Sequence, residues 1–502
     1  MPQADLKPDL YDLAVIGGGI NGTGIAADAA GRGLKVFLCE RDDLASHTSS
    51  ASSKLIHGGL RYLEHGEFRL VREALAEREV LMAKAAHLIR PLRFVLPHQP
   101  HLRPAWLIRL GLFLYDHLGK RSRLPASQGL RFGANSPLRP EIRRGFAYSD
   151  CWVDDARLVV LNALAARERG AQIHTRTSCI SARRANGHWQ LELQREDGSR
   201  FVIRARALVN AAGPWVERVL RDTLQERTHL SVRLVQGSHL IVPALYPGDE
   251  AYILQNRDRR IVFVIPYLGR YSLIGTTDRE YRGDPSEVRI SAEETAYLLA
   301  VSNEHFRQPL DASQILSSYS GVRPLLDDHA GDPAAVTRDY RLEVSGTPQE
   351  GLLLSVFGGK LTTYRRLAEA ALERLRPAFP ELPGSWTAEA PLPGGETGQS
   401  AEQLAEALRQ RHPWLDTKLA LRWASSYGSR AWQLLPEDAG IEQLGECLGA
   451  DLYACEVDYL CREEWATRAE DILWRRSKLG LLLSAAEVQR LHEHLRARGL
   501  PG

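Results

Sequence analysis

Three glycines near the start of the chain have the spacing of a phosphate-binding turn. Gly17, Gly19 and Gly22 directly follow an apolar stretch and open a helical pattern. Glycines allow a tight turn and a close backbone approach, and the helix N-terminus presents N–H groups to a pyrophosphate. Glu40 follows about 20 positions later, where an acid accepts hydrogen bonds from ribose hydroxyls. The pattern predicts a dinucleotide site, but it does not distinguish FAD from NAD.

Two later segments favour FAD. Residues 208–215 (LVNAAGPW) are typical of an apolar strand that runs into small residues, which lets a bulky cofactor pass close to the backbone. Residues 358–363 (GGKLTT) are typical of a strand-to-helix turn. A helix N-terminus at this turn would stabilise the negative charge that develops on the pyrimidine edge of a reduced flavin.

The elements that must position these residues begin with a βαβ unit. The pattern predicts a strand over 13–16, a helix over 20–30 and a strand over 35–39. Late in the chain, a buried strand over 351–357 is predicted to return to the same fold. The intervening apolar runs predict an antiparallel sheet that holds the substrate, with strands over 232–242, 251–254, 261–266 and 271–275.

Shifts in composition divide the chain into a discontinuous cofactor domain, two insertions and a C-terminal domain. Residues 391–398 are rich in Pro and Gly and predict a linker, after which the pattern is almost wholly helical. The predicted fold class is α/β, with an FAD-binding Rossmann-like domain, an inserted antiparallel substrate sheet and a C-terminal helical domain. The predicted parts are FAD-binding residues 1–90, 146–230 and 336–390, a basic amphipathic region 91–145, a substrate sheet 231–335 and a helical domain 391–502.

Charge and cysteine usage exclude several classes of function. The net charge is +2, so no global basic field points to nucleic acid. The six cysteines are dispersed and form no C-x-x-C pair, which argues against a metal site and against a disulfide scaffold. Residues 1–12 lack the apolar core of an export signal, which predicts an intracellular protein in a reducing compartment.

No stretch reaches the roughly 18 to 20 uncharged apolar residues that a membrane-spanning helix requires. The nearest is 105–118, which Arg109 and Asp116 interrupt. We therefore expect no spanning segment.

Residues 49–63 (SSASSKLIHGGLRYL) closely resemble the FAD-dependent glycerol-3-phosphate dehydrogenases, in particular the bacterial aerobic, respiratory type. Further segments resemble family motifs in the family's order: 148–157 (YSDCWVDDAR), 275–278 (GTTD), 319–324 (YSGVRP) and 357–363 (FGGKLTT). The resemblance extends from about residue 12 to the C-terminal helices, where it is weakest.

The resemblance implies a fold of the glutathione-reductase and amino-acid-oxidase type with noncovalent FAD. It implies oxidation of sn-glycerol 3-phosphate to dihydroxyacetone phosphate, with hydride transfer from C2 to flavin N5 and delivery of electrons to quinone. It also implies a cytoplasmic protein attached peripherally to the lipid surface at the inner face of the cell membrane. A homodimer is a further expectation from the family.

The resemblance also implies a set of substrate-binding residues. Guanidinium groups suit a phosphate because they donate bidentate, charge-assisted hydrogen bonds. The implied cations are Arg61, Arg323, Arg338 and Lys360, and the implied hydroxyl contacts are Tyr62 and one or both of Thr276 and Thr277. Arg338 is equally compatible with a local pair to Asp339.

Two histidines on family-like segments are candidates for the base that accepts the hydroxyl proton, because an imidazole titrates near neutral pH. We favour His239, which follows Gly237 and Ser238 at the start of the predicted substrate sheet. His57 lies beside the flavin-contacting loop and is predicted mainly to orient it. Arg323 is included with them among the catalytic candidates.

The expected cofactor-binding residues follow from the glycine turn and from the segments that resemble the family. They are Gly17, Gly19, Gly22, Glu40, Arg41, Thr48, Ser49, Ser53, Lys54, Leu55, Ala212, Gly213, Trp215, Gly358, Gly359, Lys360, Leu361 and Thr362.

Residues 98–123 interleave aromatic, aliphatic and cationic residues. An amphipathic helix of this kind lies in the headgroup region of a bilayer, and the alternative is a core helix capped by a basic loop. The resemblance to a peripheral membrane enzyme favours the membrane. The aromatics are Trp106, Phe113 and Tyr115, and the cations are Arg103, Arg109, Lys120, Arg121 and Arg123.

Two alternative functions remain open at this stage. One is an oxidase that uses the same substrate and passes electrons to oxygen. The other is a non-catalytic flavin-binding, membrane-associated protein, against which the arginines and histidines at the expected flavin face argue. The C-terminal domain is assigned no chemistry, only a capping or dimerisation role as a hypothesis.

Overall fold

The computed structural model describes residues 9–99, 102–119, 123–258, 260–327 and 339–501. Arg338, Lys120 and Arg121 lie outside the described residues, and only the backbone of Arg61 is described. Eighteen of the strands form two large sheets. The strands are β1 (Leu10–Ile16), β2 (Val36–Cys39), β3 (Leu55–Ile56), β4 (Ile89–His98), β5 (Gln128–Arg131), β6 (Arg144–Val153), β7 (Gln172–His174), β8 (Thr177–Ala185), β9 (His188–Arg195), β10 (Arg200–Asn210), β11 (Val232–Pro243), β12 (Ala251–Gln255), β13 (Ile261–Tyr267), β14 (Tyr271–Gly275), β15 (Arg279–Glu280), β16 (Ser317–Leu326), β17 (Arg341–Ser345), β18 (Leu352–Phe357), β19 (Cys447–Gly449) and β20 (Leu452–Tyr453).

Helices cover the sheets and build the C-terminal part of the chain. They are α1 (Ile20–Gly31), α2 (Phe68–Lys84), α3 (Ala105–His117), α4 (Asp155–Arg167), α5 (Val216–Arg218), α6 (Ala292–His305), α7 (Tyr364–Leu375), α8 (Ala401–Arg411), α9 (Thr417–Tyr427), α10 (Ala454–Glu463) and α11 (Ala485–Ala497). Among the described residues, no helix has the length and apolar character needed to cross a bilayer.

The first sheet is the cofactor sheet, and it has the predicted nucleotide-binding topology. Its strand order is β17-β18-β10-β1-β2-β7, and the neighbouring strands from β18 to β7 run parallel. The strands β1 and β2 are continuous apolar runs because helices α1, α4 and α7 and the β8–β9 hairpin cover the sheet. The α/β fold class is confirmed, and the glycine turn lies at the carboxyl end of β1.

The second sheet is the substrate sheet, with the order β15-β11-β14-β13-β12-β4-β6-β3 and with β16 and β5 paired at the side. Its core strands after residue 231 agree with the predicted antiparallel sheet. The structure differs from the sequence-based division in one respect: β4, β5 and β6, from the region 91–145 and its edges, belong to this same sheet. The reason is nonlocal pairing, since β4 joins β12 in parallel through Phe94 and Val95.

The C-terminal part packs around a core of its own. Trp423 and Tyr427 of α9 and Tyr459 of α10 are buried in it. The structure adds one element to the predicted helical pattern, a hairpin of β19 and β20. Ala450 and Asp451 both have positive φ at its turn, which is the geometry of a two-residue hairpin loop. This is a difference from the nearly all-helical prediction.

Candidate cofactor and substrate site

A cavity of about 830 Å³ lies between the two sheets. It begins at the glycine turn after β1, passes the loop after β2 and the turn after β18, and ends against α3. The glycine turn and the turn after β18 line the cavity mainly with main-chain atoms. The substrate sheet lines it with side chains. The volume and the lining of the cavity fit a dinucleotide together with a smaller molecule.

The glycine turn requires glycine at two positions for different reasons. Gly17 has φ +115°, in the left-handed region that other residues rarely adopt. A Cβ on Gly22 would overlap the carbonyl oxygen of Gly17, so the turn closes only with glycine there. At Gly19, a Cβ would meet only the Ser49 hydroxyl, at 3.1 Å. Gly19 lines the cavity at the N-terminus of α1, and this cradle fits the pyrophosphate of FAD.

Glu40, at the end of β2, lies where the sequence predicts a ribose-binding acid. Its carboxylate accepts hydrogen bonds from the N–H of Gly18 at 2.6 Å and of Asp42 at 2.9 Å. These bonds fix the carboxylate beside the glycine turn on the cavity wall. The geometry agrees with a role in holding the ribose of the cofactor.

Arg41 and Trp215 form the next part of this wall. The Arg41 guanidinium lies 4.2 Å from the centre of the Trp215 ring, and the His47 ring packs edge-on against the same ring. His47 also contacts Asp42 at 2.8 Å, and this hydrogen bond lowers the pKa of Asp42 to about 2. His47 lines the cavity and was not predicted from the sequence, because no motif includes it.

The loop over residues 40–54, named here the cofactor loop, is bonded to the substrate sheet and to the helices α1 and α4. Thr48 donates a hydrogen bond to the carbonyl of Val322 at 2.7 Å, and the N–H of Ile20 donates to Ser49 Oγ at 3.0 Å. The buried Lys54 ammonium donates to Asp155 at 2.7 Å and to the carbonyl of Ser50. Lys54 therefore supports the loop from behind and does not line the cavity.

The turn after β18 lies opposite the cofactor loop. Gly358 and Gly359 have φ of +78° and +103°. The Asn21 side-chain amide donates to the carbonyl of Gly358 at 3.1 Å, which joins this turn to the start of α1. Thr362 accepts a hydrogen bond from the N–H of His57 at 3.3 Å. The two flavin-favouring segments and the glycine turn thus surround one space.

Arg323 lies on β16 and lines the cavity. It donates to Asp278 at 2.5 Å and to the Thr276 hydroxyl at 2.8 Å. The Thr277 hydroxyl points the other way, because it donates to the buried Glu294 of α6 at 2.6 Å. Thr276 is therefore the threonine that faces the cavity, which the sequence did not decide.

Glu294 was not predicted, but it organises this wall. Its carboxylate also accepts hydrogen bonds from Ser238 and Gln236 of β11, both at 2.9 Å. A buried carboxylate with this set of donors holds the backbone of β11 and of the turn after β14 together. The sequence offers little reason to select Glu294. It lies outside the family-like motifs, and its place three residues after Ser291 is explained by the capping box of α6.

The two candidate bases occupy different places. His57 lines the cavity. His239 is 1% exposed behind the wall, with Nε2 2.9 Å from the Ser53 hydroxyl and its ring stacked on Tyr319. The register explains the burial, because β11 pairs His239 with Gly275 on one side and Tyr319 on the other. Burial, together with the charges of Arg323 and Lys54, lowers the pKa of His239 well below its usual value.

A buried polar cluster, on the side away from the cavity, fixes the backbone next to His57. The N–H of Gly58 donates to Tyr115 of α3 at 2.8 Å, and Tyr115 donates to Asp150 of β6. Arg78 of α2 pairs with the same carboxylate at 2.7 Å. Next to this segment, the Lys360 ammonium lies 4.1 Å from the centre of the Tyr62 ring. Lys360 and Tyr62 both line the cavity.

Most of the predicted site residues thus come together in one cavity. Gly22, Lys54, Thr277 and His239 lie behind its walls. The residues that line it are Gly17, Gly19, Glu40, Arg41, Thr48, Ser49, Ser53, Leu55, His57, Tyr62, Ala212, Gly213, Trp215, Thr276, Arg323, Gly358, Gly359, Lys360, Leu361 and Thr362. Their individual roles stay predictions.

Comparisons with known proteins agree with this geometry. A family model of FAD-dependent oxidoreductases matches residues 12–365, and a model of the C-terminal domain of alpha-glycerophosphate oxidase matches residues 385–496. A glycerol-3-phosphate dehydrogenase of Pseudomonas aeruginosa is 68% identical over 496 residues, covering 99% of this chain and 97% of the relative. A D-erythritol 1-phosphate dehydrogenase of Brucella abortus is 52% identical, covering 96% of this chain and 97% of the relative.

A solved structure is similar over nearly the whole chain. It is the glycerol-3-phosphate dehydrogenase of Bacillus halodurans in complex with FAD, with a TM-score of 0.75 and 26% identity, covering 98% of this chain and 90% of that one. The cavity, the glycine cradle and these relatives agree on the cofactor. The chain belongs to the FAD-dependent oxidoreductase family, among the glycerol-3-phosphate dehydrogenases.

Proposed function

We propose that the protein oxidises sn-glycerol 3-phosphate to dihydroxyacetone phosphate and passes the electrons to a membrane quinone. The observation that carries this proposal is that Arg323, Lys360 and His57, from three separate segments, all line the cavity that begins at the glycine cradle. Two cations suit a phosphate, and a histidine suits a secondary alcohol whose proton must be removed. When bound, FAD accepts the hydride equivalent that leaves C2 of the substrate.

Arg323 is oriented before the substrate arrives. Asp278 and Thr276 hold its guanidinium from two sides, so its orientation costs little entropy on binding. Lys360 approaches from the turn after β18, with its ammonium against the Tyr62 ring. The pair would hold a phosphate between the two sheets, which fixes the direction of the carbon chain relative to the cofactor.

His57 is the residue that we assign to proton removal from the C2 hydroxyl, because it lines the cavity. His239 takes a supporting role in this proposal. Its Nε2 contacts Ser53, which lines the cavity, so His239 orients that hydroxyl from behind. A deeply buried imidazole with a lowered pKa stays neutral at physiological pH, which suits this support.

The exposed face of α3 is the surface that we assign to the lipid bilayer. Trp106, Leu110 and Phe113 are 69%, 47% and 51% exposed, although the opposite face of the helix already packs in the core. An apolar face of this kind, with Arg103 and Arg109 beside it, fits the headgroup boundary of anionic lipids. The cavity reaches Leu110 of the same helix, so an apolar quinone could approach from the membrane.

The first test is flavin reduction without oxygen. The purified protein should lose its absorption band at about 450 nm, a property of oxidised flavin, on addition of sn-glycerol 3-phosphate. A flavin that stays oxidised with this substrate but is reduced by D-erythritol 1-phosphate would reassign the substrate. Reoxidation by oxygen with stoichiometric peroxide, and not by a quinone analogue, would favour the oxidase instead.

The membrane assignment is tested separately by sedimentation with anionic vesicles. Phe113→Ser should reduce the bound fraction, because it removes an exposed aromatic from the face of α3. Ile441→Ser is the matched control, since Ile441 is 63% exposed but lies in the C-terminal domain. Equal binding of both variants and the parent would remove α3 from the lipid contact. The homodimer and the cytoplasmic face of the membrane stay predictions from the family.

A further inference from the structure

The C-terminal domain reaches the cofactor loop through one short segment, residues 471–478. This segment follows α10 and carries Arg475, Arg476 and Lys478. Each of these cations has a carboxylate partner in the FAD-binding part of the chain. Arg475 and Arg476 pair with Asp43 of the cofactor loop, and Lys478 pairs with Asp154, next to the residue that holds the end of the loop. Arg476, Lys478 and the carboxylates are buried and Arg475 is partly buried, so these are not ordinary surface ion pairs.

The first contact holds the beginning of the cofactor loop. Arg476, with a fully buried side chain, donates to both oxygens of Asp43 at 2.8 Å in a bidentate pair. Arg475 adds a third bond to Asp43 at 2.6 Å. Directly after Asp43, Leu44 is buried and the N–H of Ala45 donates to the carbonyl of Gly18. Asp43 thus fixes the residues that pack on the glycine turn.

The second contact holds the end of the loop. Asp155 accepts hydrogen bonds from the Ser52 hydroxyl at 2.8 Å and from Lys54 at 2.7 Å. Lys478 contacts Asp154 at 3.2 Å and Asp155 at 4.0 Å, so two lysines balance two adjacent carboxylates. Burial alone would raise the pKa of Asp155, but the two lysines hold it below its usual value.

We infer that Arg476 and Lys478 are positioning residues with which the C-terminal domain clasps both ends of the cofactor loop and sets the affinity for FAD. Residues between the two contacts, Thr48 and Ser49 among them, line the cavity. When the loop is ordered before FAD binds, binding does not have to include the entropy loss of ordering it. Loosening either end of the loop should therefore weaken FAD binding. The inference depends on the cofactor and not on the identity of the substrate.

The test is a titration of full-length apoprotein with FAD, followed by flavin fluorescence. Arg476→Gln and Lys478→Gln should each raise the dissociation constant about tenfold or more, by analogy with the loss of affinity at metal sites when a residue that orients a ligand is replaced. Arg476→Lys keeps the charge but loses the bidentate geometry, so its effect should be smaller. Because no substrate is present, the result is separate from a failure of the proposed reaction.

Arg430→Gln is the matched control. Arg430 is also a buried arginine of the C-terminal domain, and it pairs with Glu168 after α4, away from the cofactor loop. It should lower the melting temperature without changing the dissociation constant more than about twofold. The inference is overturned if Arg430→Gln weakens FAD binding as much as Arg476→Gln, or if neither clasp variant changes it. If Arg476→Gln does not fold, Arg476→Lys and Lys478→Gln decide the question.

Discussion

The two ends of the cavity are built in different ways. The cofactor end is a main-chain structure: the glycine turn, the N-terminus of α1 and Glu40 come from one βαβ unit. The substrate end is made of side chains from separate segments, with His57 before α2, Thr276 after β14 and Arg323 on β16. A main-chain cradle recognises what all dinucleotides share, whereas side chains from several elements select one substrate. Substitutions at the cofactor end should therefore change flavin content, and substitutions at the substrate end should change the kinetics of substrate oxidation.

The largest effect should come from closing the main-chain cradle. Gly22→Ala places a Cβ against the carbonyl oxygen of Gly17, a backbone atom that cannot move aside. We expect purified protein without flavin, measured as the ratio of absorbance at about 450 nm to protein absorbance.

Gly129→Ala is the control for this change, because a Cβ there meets no neighbour within 4 Å. It should retain full flavin content. Full occupancy in Gly22→Ala would show that the cofactor end tolerates change as side-chain sites do, and the contrast between the two ends would fail.

The same difference decides what could be predicted from the sequence. Gly17, Gly22 and Glu40 lie within one local pattern whose strand, turn and helix follow from neighbouring residues, so the elements and the place of the turn could be predicted. At the substrate end the resemblance supplied residue names, but orientation depends on partners far along the chain. Thr277 turns away from the cavity because its hydroxyl donates a hydrogen bond to Glu294. His239 is buried because of its pairing with Gly275 and Tyr319.

Sheet membership shows the same limit. The apolar runs of β11 to β14 predicted a sheet because consecutive strands pair as neighbours. The parallel pairing of β4 with β12 joins residues 157 positions apart in the chain, and no local pattern records it. Residues 91–145 were for this reason set apart as a membrane-contact region, although only α3 presents an exposed apolar face among the described residues of that region.

At the substrate end, the largest effect should come from the residue that we propose as the proton acceptor. His57→Gln should slow reduction of the flavin by about 100- to 10,000-fold, the usual contribution of a general base. Flavin content should stay normal, because the side chain lies beyond the cofactor cradle. The rate is measured by stopped flow without oxygen at saturating substrate.

His239→Gln sharpens the assignment. Its effect on the reduction rate should be much smaller if His239 acts through Ser53, as its 2.9 Å contact with that hydroxyl suggests for a residue behind the wall. If His239→Gln slows reduction as much as His57→Gln, the two imidazoles act as one unit. If only His239→Gln slows it, the base is the buried histidine, as the sequence favoured.

Arg323 should show the next smaller effect. Arg323→Ala would remove the proposed charge-assisted pair with the phosphate, worth about 2 to 3 kcal/mol in total, which corresponds to a rise in KM of about 30- to 150-fold. The flavin should stay bound and kcat should change less than KM. The informative companion is Asp278→Asn, which leaves the Arg323 cation in place but loosens its orientation, so it should raise KM less. An unchanged KM in Arg323→Ala would remove this residue from the clamp.

The smallest expected effect concerns pH and the buried His239. Its folded pKa lies well below the usual value of about 6.5, so below that pH the unfolded chain takes up a proton that the folded protein refuses. The contribution of the neutral His239 to the free energy of unfolding is therefore complete at about pH 7.5 and is lost as the pH falls through 6.5. Between pH 7.5 and 5.5, the parent should lose up to about 1.4 kcal/mol more unfolding free energy than His239→Gln, measured by urea denaturation. Equal losses would mean that His239 gains a proton in the folded state, and the wall behind the substrate would then be as open to water as the cavity itself.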